Sequence, residues 1–103
     1  MVDIQGIKYP VVVVENDFLV SAALNCGAVG RWTYGEGIEI SDILKGDAAL
    51  PTLMHEIIHG MDEAMDIRID EHQVQLLATG FIQLMQANGG DVDWLRNMLE
   101  VGE

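Results

Sequence analysis

His55-Glu56-Ile57-Ile58-His59 sets two imidazoles four residues apart, with a carboxylate next to the first. On a helix, residues i and i+4 lie one above the other, so both rings can reach a single metal ion without distorting the backbone. Glu56, about 100° round the helix from His55, borders the same site and can take a proton from water that the metal activates. The chemistry that calls for this spacing is zinc-assisted hydrolysis. Only three histidines occur in the chain, and two of them stand here. The same five residues can also decorate a solvated helix, where they make weak contacts between turns. The setting argues otherwise, because the motif sits in an apolar helix and a suitable third ligand follows it.

The helix that must carry the motif starts near Leu50-Pro51, since proline suits the first helical position and disfavours helical geometry in the residue before it. It runs to about Met65. Leu53, Met54, Ile57, Ile58, Met61, Ala64 and Met65 fall on one broad face, and Thr52, His55, His59, Asp62 and Asp66 on the opposite one. The apolar stripe is for a sheet, and the polar stripe carries the ligands.

A catalytic zinc site takes three protein ligands and leaves one position open. The short connection from Met65 to Asp70 returns a second helix antiparallel beside the first. Asp70 with Gln73 three residues on forms a capping-box start, and Asn88-Gly89-Gly90 ends that helix after Ala87. Val74, Ala78, Phe81, Ile82 and Met85 make its inward stripe, and Glu71 is in phase with the centre of it. Glu71 is the favoured third ligand. His72 is its rival, about 100° away on the side of Thr79, Gln83 and Gln86. Asp62 and Asp66 share the histidine stripe and are candidates to orient an imidazole. Tyr34, Arg68 and His72 are candidate donors to an oxyanion, and no motif chooses among them.

The first part of the chain reads as β structure. Ile4-Gln5-Gly6-Ile7 predicts a tight turn between a short strand and the run Ile7 to Glu15, which Pro10 interrupts at an edge or a bulge. Asn16 to Cys26 reads as a short helix or an irregular connection. Val29 to Tyr34 and Gly37 to Ser41 form a hairpin joined at Gly35-Glu36, with Ile38 and Ile40 on one face and Glu39 on the other. If Gly37 to Ser41 edges the cleft, it can pair with an extended substrate. A last short helix from near Asp91 puts Trp94, Leu95, Met98 and Leu99 on one side, as a lid or tail. The expected fold is α+β: a small N-terminal antiparallel sheet over residues 1–44, packed on a helix pair and a short C-terminal helix over residues 45–103, all in one domain.

Composition narrows the function classes. Half of the 103 residues are hydrophobic, enough for a core, and the longest apolar run, Val11 to Val14, cannot span a bilayer. The lone Cys26 allows no internal disulfide and suits a reducing compartment, so a soluble, cytoplasmic protein is expected. A formal charge of −12 repels phosphates and anionic lipids, which argues against direct nucleic acid or membrane binding. The same charge favours solubility, attracts divalent cations or basic protein surfaces, and permits imitation of nucleic acid toward some partner.

Leu53-Met54-His55-Glu56-Ile57-Ile58-His59-Gly60, followed by Asp70-Glu71-His72-Gln73-Val74-Gln75-Leu76-Leu77-Ala78-Thr79-Gly80, resembles the small phage and bacterial zincin-like proteins related to the ImmA/IrrE metallopeptidases. In that family a His-Glu-x-x-His helix is paired with a Glu-x-x-Ala-Asn-x-Phe-Ala-like helix whose Glu is the third zinc ligand, and Glu71 matches that Glu. Gln75 stands where the family has Asn, and the motifs are closer together than in full-length members. The resemblance covers about the second half of the chain. It implies a gluzincin-like fold, a zinc ion on His55, His59 and Glu71, and hydrolysis of a peptide or protein substrate with Glu56 as general base. The alternative is a non-catalytic, zinc-stabilised acidic module of phage or bacterial origin that binds another protein.

Overall fold

The structure, a computed structural model, describes residues 1–14, 30–33, 35–42, 44 and 46–100. Its elements are β1 (Val2–Ile4), β2 (Ile7–Tyr9), β3 (Val11–Val14), β4 (Gly30–Thr33), β5 (Gly37–Ser41), a 3-10 turn (Gly46–Ala49), and helices α1 (Leu50–Met65), α2 (Glu71–Ala87) and α3 (Asp93–Glu100). The architecture is α+β, and no helix among the described residues is long and apolar enough to cross a membrane. The expectations for Asn16 to Cys26 and for Tyr34 lie outside the described residues.

β1 and β2 form an antiparallel hairpin in which Ile4 faces Ile7. Gln5 and Gly6 both have positive φ, 54° and 85°, as a two-residue turn of this hand requires. Pro10 then divides the expected single run in two: β2 stays with β1, while β3 joins a separate three-stranded sheet of order β3-β5-β4. This sheet is not wholly antiparallel. The β4–β5 pair is, but β3 runs parallel to β5. Because β5 is central, its hairpin partner takes one edge and β3 takes the other. The central position also explains the burial of Ile38 and Ile40, each 1% exposed.

α1 is the hub. It packs on α2, β1, β4, β5 and α3, burying Leu50, Leu53, Met54, Ile57 and Ile58. Met61, Ala64 and Met65, expected on the same buried face, are exposed, so the apolar stripe of α1 is covered only as far as Gly60. Gly60 allows a close approach: a Cβ there would stand 2.7 Å from Ile4 Cδ1 and 3.2 Å from the Trp32 ring.

α2 begins as its sequence predicts. The Asp70 carboxylate accepts from the Gln73 N–H at 2.8 Å, and the Gln73 side chain accepts from the Asp70 N–H at 2.9 Å. Val74, Ala78 and Ile82 are buried, but Phe81 is 45% exposed, since it lies on the flank of the stripe rather than its centre. α3 packs against the body of the fold. It packs on β3 and α1 through Leu95, leaving Trp94 exposed, and Arg96 grips Asp47 at 2.8 Å through two nitrogens.

Candidate metal centre

Two helices and one strand build the site. One turn of α1 sets His55 edge-on to His59, with ring centroids 4.8 Å apart and the two Nε2 atoms 3.1 Å apart. Capping by Asp70 fixes the first turn of α2, and Glu71 at its start reaches across to α1. One Glu71 oxygen stands 2.6 Å from His55 Nε2 and the other 2.9 Å from His59 Nε2. Among the described residues, His55, His59 and Glu71 are the group whose ligand atoms come within 4.8 Å of one another.

This donor set fits zinc. Two imidazole nitrogens and one carboxylate are a known catalytic set, and a tetrahedron with arms of about 2.0–2.1 Å has donors about 3.3 Å apart. The donor atoms here lie between 2.6 and 3.1 Å apart, inside that spacing. Glu71 has two-thirds of its side chain exposed, so the cluster opens to solvent on that side.

Glu56 lies against the sheet, 7% exposed. Burial pushes its carboxyl up from 4.5 to about 7, the Glu71 charge adds to the rise, and the Trp32 backbone N–H, donating to it, opposes. The strand that makes this contact is β4. A Cβ on Gly30 would lie 2.7 Å from Thr52 Cγ2 and 3.1 Å from Glu56 Oε2, so only glycine lets the strand come this close. Trp32 packs edge-on against Tyr9, and its indole N–H donates to Glu63 at 2.5 Å.

The result is a cleft of about 620 Å³ whose walls include Gly30, Trp32, Thr52, Glu56, Gln75 and Thr79, with His55, His59 and Glu71 among them. The strand expected to edge it, Gly37 to Ser41, does not, because it is the central strand; β4 does. Neither Gly30 nor Trp32 stands out in the sequence as a site residue. An isolated glycine inside a strand pattern is the one signal there for close backbone approach.

Of the remaining candidates, Asp62, Asp66 and Arg68 line a second cavity that shares His59 and Trp32 with the first. Asp62 accepts from the backbone N–H groups of Arg68 at 2.5 Å and Ile69 at 3.3 Å, so it braces the connection between α1 and α2. Asp66 forms a two-bond pair with Arg68, 3.0 Å for each bond. His72 is exposed and outside the walls of the cleft. Tyr34 lies outside the described residues. Compared with known proteins, the chain matches no family model, no curated protein and no solved structure.

Proposed function

We propose that this chain is a zinc-dependent, metallopeptidase-like protein of the zincin type, with His55, His59 and Glu71 as ligands and Glu56 as general base. One observation carries the reading: two imidazole nitrogens and a carboxylate from separate helices converge beside a second, buried carboxylate. A zinc ion held by His55, His59 and Glu71 would supply Lewis acidity toward water and a carbonyl oxygen. Glu56, buried beside the ligands, can accept a proton from the attacking water and return it to the leaving amine. The Trp32 N–H holds the Glu56 carboxylate in place through that exchange. β4, an edge strand among the described residues, offers its outward backbone at Gly30 to an extended chain, which favours a peptide over a compact small molecule.

Glu56→Gln tests this directly. The variant should bind one metal per chain and fail to cleave a peptide mixture that the parent cleaves, read by mass spectrometry. Cleavage by the variant at the parent's rate, or metal far below one equivalent in both, would refute the proposal. A second reading is favoured by the engagement of Arg68 with Asp66 and the position of His72 outside the cleft, which leave the oxyanion without either of these donors. There, zinc clamps α1 to α2 in an acidic protein-binding module, and its affinity contributes to folding. In that case Glu56→Gln keeps both metal and partner, and metal removal abolishes partner binding.

A further inference from the structure

α2 buries one stripe and leaves another in water. Leu77, Phe81 and Leu84, at i, i+4 and i+7, are 41%, 45% and 61% exposed, and Leu76 beside them is 60% exposed. At about 100° per residue this flank lies on the opposite side of the helix from Gln75 and Thr79, which line the cleft. It is therefore separate from the metal site.

Charge indicates what covers it. In a chain of net charge −12 with 21% charged residues, positions 72–90 contain no Asp, Glu, Lys or Arg. α1, by contrast, carries Asp62 and Glu63 in its last turns, and α3 starts at Asp93. A basic partner would be drawn to the acidic surfaces and would find no carboxylate here. Two copies of this chain repel one another everywhere that acid would face acid, so contact between them is least opposed where charge is missing.

We propose that this flank of α2 is a homodimer interface, with two α2 helices packed antiparallel across a twofold axis near Gly80 and Phe81. Such an arrangement sets Phe81 beside its counterpart and Leu77 of each copy against the other's Leu84, a self-complementary contact. Gly80 has open space where a Cβ would be, so the helices can approach closely at the crossing. Gln73 and Gln83 supply neutral hydrogen-bonding groups for the rim. The interface rests on the surface of α2 alone and stands whether or not the cleft holds metal or turns over substrate.

Sedimentation of the full chain tests it. With four large apolar side chains per copy the dimer is a small one, with dissociation on the order of micromolar. Raising salt from about 20 to about 300 mM should tighten it several-fold, because screening removes repulsion between like-charged copies. Leu84→Glu, at an exposed position, should weaken association by at least about 100-fold, since each copy then brings a carboxylate into an apolar contact. Its circular dichroism and metal content should match the parent's. A parent that stays monomeric at several hundred micromolar in high salt overturns the proposal, as do dimers that loosen with salt or that survive Leu84→Glu unchanged.

Discussion

Glu56→Gln in the metal-stripped protein exposes the energetic cost of the buried carboxylate. In the unfolded chain Glu56 ionises near 4.5, and in the folded chain at about 7. A raised carboxylate pKa means that folding disfavours the charged form. Its contribution is therefore fully favourable below pH 4.5, declines as pH rises toward 7, and is lost above that. At 1.36 kcal/mol per pH unit the total cost of ionisation is about 3 kcal/mol. Glutamine has nearly the same shape, can still accept from the Trp32 N–H, and does not ionise. Urea titrations of both proteins in EDTA, from pH 4.5 to 8.5, should give a stability difference that grows by about 3 kcal/mol in favour of the variant. In a domain of this size that is roughly 10–20 °C in Tm above neutral pH. Carboxylates that do not interact with Glu56 are common to both proteins and cancel in the difference; Glu71, which does, contributes to it. Saturating zinc should shrink the pH-dependent part, because a nearby cation favours the ionised form. A difference that stays flat across this range, or that grows toward acid, would refute the burial argument.

Three further perturbations address the parts of the site separately. Glu71→Gln should weaken zinc binding by at least about 100-fold in a chelator competition, judged against the 10–100-fold typical of groups one step further out; unchanged affinity would remove Glu71 from the ligand set. Gly60→Ala should destabilise by about 1–2 kcal/mol in urea, because crowding Ile4 and the Trp32 ring outweighs the roughly 1 kcal/mol that alanine gains in helix propensity. A more stable variant would show that Trp32 yields. Asp70→Ala should cost about 1 kcal/mol by removing the cap on Gln73, and zinc affinity should fall with it, since Glu71 is the next residue; loss of stability with metal affinity intact would separate the cap from the ligand.

Elements with strong local signals are legible in the order of residues alone. Pro51 marks the start of α1, the Asp70 and Gln73 pair caps α2, and Asn88-Gly89-Gly90 ends it, each through interactions within a few residues. The candidate metal-binding group is legible for the same reason: i, i+4 spacing sets the two histidines one above the other, and helical phase distinguishes Glu71 from His72. Burial at element edges is not. Met61, Met65 and Phe81 match the apolar period, yet how far a neighbour extends over them depends on helix lengths and crossing.

Strand order is beyond the sequence as well. Val11 to Val14 and Gly37 to Ser41 each read as strands, but their parallel pairing, which makes β5 central and β4 the edge at the cleft, is a non-local choice made by competing sheet edges. The Glu56 environment follows from that choice. The sequence by itself determined which side chains could hold a metal and that one helix would align two of them. Only the tertiary structure decided that Gly30 and Trp32 close over Glu56, because desolvation depends on what packs against a carboxylate, and here that neighbour lies more than 20 residues away along the chain.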